Sequence, residues 1–334
     1  MSAGGPWLQR RGWLALGAGL LAGRAAAQSA EAPADTPPAE RGRRPRSLTL
    51  LVGGAAGGAG DTWARGFAPY LERQLPRAVL GVQDEPGDGG LAAARRLAES
   101  PPDARLLGAV SVPLLIARAV ELHETALLGS LDWLAAVAEE PVVLVTAARP
   151  GADLAEFRAL GEIATLGLPP PGSAAALFGD SWARLSPVTL VHFPSAAAAR
   201  QAAQSGHVAA AAVTLPEAIQ AIRDGRLDPL GLATSQRCDW LPEVPTFSEQ
   251  GFALIARARR GFVLPPGVPA RLRDRLAGAL LAAVRDPEFV TRGTTAGFLP
   301  SYIGPEAWPA EIAAETARLE RRWITDPWPM AGRG

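Results

Sequence analysis

Short runs of apolar residues alternate along the chain with segments in which apolar residues recur every three or four positions. The apolar runs include LTLLV from Leu48, AVLGVQ from Ala78 and LLGAVSV from Leu106. Helical patterns follow the first two runs, one from Asp61 and one from Gly90. Because strands that alternate with helices form sheets joined by crossover helices, this order predicts an α/β fold with largely parallel sheets.

The helical segments carry their own boundary signals. In the first segment, Asp61 is placed to accept hydrogen bonds from the free N–H groups of the turn that follows it. Pro69 lies inside the same segment and lacks a backbone donor, so we expect a kink or a restart there. Later helical patterns run from Pro216 to a cap at Gly225, from Pro269 to Val284, and from about Pro305 to Trp323.

The chain is long enough for two domains and carries no net charge. Its 334 residues exceed the roughly 100 to 200 that are usual for one domain. The 33 Lys and Arg residues balance 33 Asp and Glu residues, which does not favour nucleic acid or an anionic membrane surface as a partner. The single Cys238 cannot form an intramolecular disulfide, and we expect it to be a small packed residue.

The first 46 residues have the features of an exported protein. Two arginines precede an apolar run over 13–23, and the small residues at 25–27 suit cleavage. The run is shorter than the ~20 residues that span a bilayer, so we expect a signal peptide over 1–27 that is removed. Residues 28–46, rich in proline, alanine and charge, are expected to form a flexible tether. The mature protein is therefore predicted to be periplasmic, and both the general and the twin-arginine export routes fit the signal.

Two glycine-rich turns and several later segments resemble one family of receptors. Gly57, Gly58 and Asp61 match the Gly-Gly-x-x-Asp of a strand–turn–helix motif, although the prolines that precede it in the family are replaced here. DEPGDGG supplies Gly89 and Gly90 of a second motif. The segments VTLVHFP, AIRDGRLDPLGLATSQR and LPEVPTFSEQGF continue the match in order. Together they are similar to the Bug-type extracytoplasmic solute receptors of tripartite tricarboxylate transporters.

The resemblance implies a type II periplasmic binding protein fold, in which two α/β domains close on a small ligand. Domain 1 would comprise residues 47–147 and 258–334, and domain 2 would comprise residues 148–257. The resemblance also implies that the ligand is a small organic anion, such as a carboxylate, and that membrane permease subunits of the transporter are partners. Glycines leave backbone N–H groups accessible and a helix N-terminus adds about half a positive charge, so no lysine is needed. A purely structural turn is the alternative interpretation of these glycines.

The second half of the chain departs from the family pattern. Ser173 keeps the one hydroxyl of a turn that is rich in Thr and Ser in the family, and Pro194 and Ser195 begin the replacement of Pro-Tyr-Lys-Gly. Arg259 lies in an arginine-rich crossover segment, where it would replace lost donors to a carboxylate or lie on a solvated face. These departures leave a degenerate receptor, acting as a sensor or partner-binding protein, as the alternative. The candidate ligand-binding residues are Gly57, Gly58, Asp61, Gly89, Gly90, Ser173, Pro194, Ser195 and Arg259.

Motifs for nucleotide, metal and covalent chemistry are missing from the sequence. The first glycine-rich turn lacks both the Gly-Lys-Ser/Thr of a phosphate loop and the spacing of a dinucleotide site. The histidines lie singly, which does not favour a zinc site, and His192 is expected to be a hydrogen-bonded strand residue. Ser173 lacks the flanking glycines of a nucleophile elbow, and Glu139 and Glu140 would face opposite sides of a strand. We therefore expect no cofactor, no metal and no enzymatic activity, with an α/β hydrolase as the weaker alternative.

Overall fold

The computed structural model describes residues 46–330. The predicted export signal and nearly all of the predicted tether lie outside the described residues. The strands in this range are β1 (Arg46–Val52), β2 (Ala78–Asp84), β3 (Leu106–Val112), β4 (Asp132–Ala147), β5 (Thr165–Leu168), β6 (Thr189–His192), β7 (Ala210–Thr214), β8 (Leu227–Leu232), β9 (Arg257–Leu264) and β10 (Leu299–Ile303). The helices are α1 (Ala59–Gln74), α2 (Leu91–Ala98), α3 (Leu114–Glu121), α4 (Thr125–Ser130), α5 (Leu154–Ala159), α6 (Ala174–Ala183), α7 (Ala196–Gln204), α8 (Leu215–Arg223), α9 (Ala270–Val284), α10 (Pro287–Ala296) and α11 (Trp308–Thr325).

Strand β4 belongs to two groups of strands and so divides the fold into two lobes. Its first half pairs with β9 and β10, and the order continues from β9 to β3, β1 and β2. Its second half, from Val142, pairs with β7 and β8, and the order continues from β7 to β5 and β6. We call residues 46–141 with 257–330 lobe 1, and residues 142–256 lobe 2. That these lobes are the two predicted domains, with boundaries after 147 and 257, stays a prediction.

The outer strands of both lobes are parallel, and the central strands are antiparallel. Strand β1 is parallel to β2 and β3, and β5 is parallel to β6 and β7. Strand β9 runs antiparallel to both β3 and β4, and β4 runs antiparallel to β7 and β8. The prediction of largely parallel sheets is therefore wrong at the centre of the molecule. The reason is that these long-range pairs are not joined by a crossover helix, which parallel neighbours require.

Successive residues of β1 and of β4 face two different hydrophobic cores, one on each side of the sheet. On β1, Leu50 belongs to a core with α1 and α9, whereas Leu51 belongs to a core with α2, α3 and α11. In lobe 2, on β4, Leu144 belongs to a core with α6, whereas Val145 belongs to a core with α7. Helices therefore cover both faces of each lobe, as an α/β fold requires.

One local prediction about α1 is wrong, and a second is wrong in part. The helix begins at Ala59 with Gly58 as its N-cap, and the Asp61 carboxylate reaches back to accept the Gly57 N–H at 2.8 Å. The glycines at 57 and 58 form the turn themselves. The helix therefore starts two residues before Asp61, where the sequence predicted its beginning. The restart expected at Pro69 does not occur, because one continuous helix contains this exposed proline, and the alternative of a kink there stays a prediction. No helix within residues 46–330 has the length and apolar character needed to cross a membrane.

Leu50→Ala is expected to destabilise lobe 1 by about 2 to 5 kcal/mol, because it deletes buried methyl groups and leaves a cavity. Leu50 is 0% exposed at the centre of β1. Urea denaturation of the purified protein measures the change. Ile163→Ala, at a side chain that is 80% exposed, removes a similar volume and should change the free energy of unfolding by less than about 0.5 kcal/mol. Equal losses in the two variants would contradict the assignment of the core.

Candidate functional site

A cavity of about 230 Å³ lies between the lobes, at the carboxyl ends of β1, β3, β5 and β7. We call it the interlobe cavity. Its lining includes Gly53 after β1, Ser111 in β3, Pro169 after β5 and Thr214 in β7. This volume is smaller than the ~300 to 1,000 Å³ of pockets for drug-sized ligands, so the cavity suits a small solute. Crevices at the carboxyl ends of parallel strands are the usual ligand sites of α/β sheets.

Several helices begin at the interlobe cavity and direct their N-termini into it. Helices α1, α2 and α3 approach from lobe 1, and α6, α7 and α8 approach from lobe 2. The cap or first-turn residues in the lining are Ala59, Gly60, Gly90, Ala93, Pro113, Leu114, Leu115, Ser173, Ala174, Ala175, Ala196, Thr214 and Glu217. Each helix N-terminus carries about half a positive charge and backbone N–H groups without a partner in the helix. The cavity is therefore electropositive from its backbone, and among the described residues Arg260 is the one basic side chain in its lining.

The first turn of α1 is the clearest of these donor sites. Its N-cap, Gly58, has no side chain to accept a hydrogen bond, and the Asp61 carboxylate is engaged by Gly57 and Arg65. Among residues 46–330, no acceptor is hydrogen bonded to the N–H groups of Ala59 and Gly60. Both residues line the interlobe cavity. An anion placed there would meet two free amides at the positive end of a 16-residue helix.

The two glycine-rich turns touch each other through their backbones at the edge of the interlobe cavity. A Cβ atom added to Gly53 would lie 2.4 Å from the Cα atom of Gly90, closer than any side chain permits. Gly89 and Gly90 adopt positive φ angles of 63° and 107°, and a Cβ atom on Gly89 would also meet Arg118 at 2.5 Å. Glycine is therefore needed at these positions to bring the two turns together.

The charged side chains in the lining are Arg260, Glu140 and Glu217. Arg260 donates from Nε to Glu140 Oε1 at 2.8 Å and from Nη2 to Oε2 at 3.1 Å, which forms a two-pronged ion pair. The two side chains are only 13% and 3% exposed. Burial by itself lowers the pKa of Arg260, but its contacts with Glu140 raise the pKa above its usual value. The pair is therefore a neutral unit within the cavity wall.

Glu217, in the first turn of α8, is an acid without a partner. Among the described residues, its carboxylate makes no hydrogen bond and no ion pair, although it lies in the lining of the cavity. Burial raises the pKa of Glu217 above its ordinary value, and the charge of Glu140 raises it further. Arg260 and Arg200 lower this pKa, but both act from beyond ion-pair distance. The place of Glu217 in the first turn of α8 offsets part of the cost of this burial, and a ligand with a cationic donor would offset more of it.

Three of the predicted site residues, Gly89, Gly90 and Ser173, line the interlobe cavity. The others are outside its lining, and they are Gly57, Gly58, Asp61, Pro194, Ser195 and Arg259. Ser195 caps α7 by accepting the Ala198 N–H, and Arg259 bonds to Glu139 and Glu311. The lining instead contains their neighbours Gly53, Gly54, Gly60, Ala196 and Arg260. A role of the predicted residues in ligand binding stays a prediction.

Sequence reasoning did not single out Trp63 or Glu217 as candidate site residues, and it placed Arg260 behind Arg259. The indole of Trp63 stacks on Phe67 and also lines the cavity, so its spacing resembled that of a core residue. Glu217 follows Thr214 at the spacing of a helix capping box, and that spacing carries no signal of a ligand site. The expectation that Glu139 and Glu140 face opposite ways is confirmed, because Glu139 bonds to Arg259 and Glu140 to Arg260.

The histidine and cysteine expected to be structural have structural surroundings. His192 is on β6, an edge strand, and its Nδ1 lies 3.3 Å from the carbonyl oxygen of Pro169. Cys238 is buried, and burial raises the pKa of its thiol, which makes the thiolate less accessible. Within residues 46–330, no three His, Cys, Asp or Glu side chains are grouped to hold a metal ion.

Comparison with known families and proteins gives a consistent result. The family model described as "Tripartite tricarboxylate transporter family receptor" matches residues 63–325. A UPF0065 protein from the gbd 5′ region of Cupriavidus necator is 26% identical over 324 residues, which covers 95% of this chain and 97% of the relative. Protein BugT of Bordetella pertussis is 27% identical over 297 residues, which covers 85% of this chain and 89% of BugT.

Solved structures share the fold. MatC from Rhodopseudomonas palustris, determined with bound malate, is 26% identical, has a TM-score of 0.69, and aligns over 83% of this chain and 98% of MatC. The periplasmic binding protein BugD, 19% identical, has a TM-score of 0.70 over 84% of this chain and 97% of BugD. The predicted fold, that of a periplasmic binding protein, is confirmed.

Gly53→Ala is expected to destabilise the protein by about 1 to 3 kcal/mol, because its methyl group must displace the backbone of the second turn at Gly90. Gly54→Ala is the matched control, since a Cβ atom there meets nothing closer than Val52 at 4.0 Å. Urea denaturation of both variants gives the comparison. Similar stability in the two variants would show that the turns do not depend on their close approach.

Glu217→Gln is expected to reduce the pH dependence of stability. Because the pKa of Glu217 is raised in the folded state, its favourable contribution is complete below its ordinary value of 4.5 and is lost as the pH rises through the folded value. The wild-type protein should therefore lose stability relative to Glu217→Gln as the pH rises above about 4.5. Urea titrations across this range measure the difference, with the exposed Glu243→Gln as control. A difference that stays constant with pH would contradict the burial of Glu217.

Proposed function

Because this chain belongs to the family of tripartite tricarboxylate transporter receptors, we propose that it is an extracytoplasmic receptor for a small organic anion. The anion is a carboxylate, and the interlobe cavity is its site. We further propose that the signal over residues 1–27 exports the chain to the periplasm. The loaded receptor then delivers its solute to the permease subunits of a tripartite tricarboxylate transporter.

The observation that carries this proposal is the convergence of helix N-termini on one cavity whose one basic side chain within residues 46–330, Arg260, is already paired with Glu140. Backbone N–H groups and helix dipoles together bind anions without a basic side chain. The free amides of Ala59 and Gly60 are suited to the two oxygens of one carboxylate. The malate bound to MatC, which is 26% identical to this chain, supports a carboxylate as the class of ligand.

The geometry also favours a receptor over an enzyme. The Ser173 hydroxyl accepts a hydrogen bond from the Ala176 N–H at 3.3 Å and so serves as a helix cap. Within residues 46–330, no histidine or carboxylate is hydrogen bonded to this hydroxyl to activate it. Binding between two lobes stabilises their closed arrangement, because the ligand contacts both at once.

Purified mature protein is expected to be stabilised by one or more small carboxylates in a thermal-shift screen. A ligand at 100 times its dissociation constant should add about 2.7 kcal/mol to the free energy of unfolding. Native mass spectrometry of protein isolated from the periplasm identifies an anion that co-purifies. Binding by the isolated chain also separates this proposal from a degenerate receptor that needs a partner protein. A screen of mono-, di- and tricarboxylates that gives no shift would argue against the proposal.

Ala59→Asp provides a second readout of the same proposal. An aspartate in the first turn of α1 favours the helix, so the variant should fold, but its charge lies in the cavity lining and repels an anion. Affinity for the carboxylate should fall at least about 10-fold by this repulsion. Ala55→Asp is the control, because it adds the same charge four residues earlier, at an exposed residue outside the lining.

A further inference from the structure

The proposed function leaves one charged group in the interlobe cavity without a partner. A carboxylate ligand is accommodated by the backbone amides at the start of α1, on the lobe 1 side. Glu217 enters the same cavity from lobe 2, at the start of α8. The lining thus contains a fixed acid in a site that would otherwise select anions.

The nearest cation in the lining is already engaged. Arg260 uses Nε and Nη2 for Glu140, and the two hydrogen bonds of 2.8 and 3.1 Å occupy both oxygens of that carboxylate. Breaking this buried pair in order to serve Glu217 would leave Glu140, which is 2% exposed, without a partner. Arg260 therefore does not neutralise Glu217, and Arg200, which lies on α7 outside the lining, makes no ion pair with it.

A capping box does not account for Glu217 either. Thr214 and Glu217 have the Thr-x-x-Glu spacing of a capping box, in which the two side chains cap each other's backbone. In the structure, the Thr214 side chain makes no capping hydrogen bond, and among residues 46–330 the Glu217 carboxylate makes none at all. The acid is therefore available to the cavity.

These contacts determine which anions suit the interlobe cavity. A plain dicarboxylate would bring a second negative charge into a cavity that holds the unpaired charge of Glu217, and like charges in a partly buried site repel strongly. A ligand that carries a cationic donor would instead form a charge-assisted hydrogen bond with Glu217. The volume of about 230 Å³ restricts such a ligand to a small molecule.

We propose that the ligand is an aminocarboxylate, whose carboxylate binds the amides of Ala59 and Gly60 and whose protonated amino group binds the carboxylate of Glu217. This inference rests on the proposed function, because it names the class of solute that the same cavity selects. Glu217 is then the residue that determines specificity between amino acids and amine-free acids.

Calorimetric titration with matched ligand pairs tests the inference. The pairs are α- and ω-amino acids of three to six carbons, including aspartate, glutamate and 4-aminobutyrate, each compared with the corresponding acid without the amino group. Wild-type protein is expected to bind the better amino-bearing ligands at least about 10-fold more tightly than their amine-free counterparts. Glu217→Gln, which keeps the shape of the side chain, should weaken binding of those ligands by about 30-fold or more and remove the preference. Glu243→Gln makes the same chemical change at an exposed site and should behave like wild type.

The outcomes separate the inference from the proposed function. If amine-free acids bind wild-type protein as tightly as amino acids, or if Glu217→Gln keeps the preference, the inference is wrong and the receptor function stands. If dicarboxylates bind more tightly as the pH falls and Glu217→Gln loses this gain, Glu217 acts as a protonated donor, which also overturns the inference. If no acid of either kind binds, both proposals fail. Melting curves of the variants without ligand show whether each is folded.

Discussion

The constraint on which the site depends is the direction of the parallel strands in the two lobes. In each lobe a parallel strand is followed by a helix, so that helix begins at the carboxyl edge of the sheet. Strand β4 passes from lobe 1 into lobe 2 and makes these two edges face each other. The interlobe cavity therefore receives helix N-termini from both sides, and its positive character comes from topology rather than from basic side chains.

Acidic side chains in the cavity oppose the positive potential of the helix N-termini. The Glu140–Arg260 pair adds no net charge, and it holds β4 and β9 together beside the cavity. Glu217 adds a negative charge beside a helix N-terminus, which is a favourable place for an acid even without a partner. The same helix starts that attract the carboxylate of a ligand thus make it possible to keep an acid nearby, and a cavity with both signs of charge selects a solute with both.

Much of the fold was predictable because it follows from local patterns. The strands from Leu48, Ala78 and Leu106 and the helices between them were anticipated within a few residues, since their apolar periodicity is a local property. The antiparallel pairing of β9 with β3 and β4 was not, because pairing over more than a hundred residues leaves no local signal.

The sequence predicted which turns and segments lie at the candidate site, but it did not predict which individual residues line the cavity. Arg259 and Arg260 illustrate the limit, because neighbours on a strand face opposite sides and a shift of one residue exchanges the cavity for the other face. Gly89 and Gly90 were anticipated as cavity residues because both their spacing and their chemistry require glycine.

The two connections between the lobes lie next to each other, which sets how one lobe can rotate relative to the other. Val142 N–H donates to Ala256 O at 3.0 Å, so the two connections run side by side, and two adjacent points define a line about which the lobes can turn. A rotation about that line moves distant residues most and nearby residues least. The Glu140–Arg260 pair, next to the connections, would therefore keep its position, while the glycine-rich turns would move together with the bound solute.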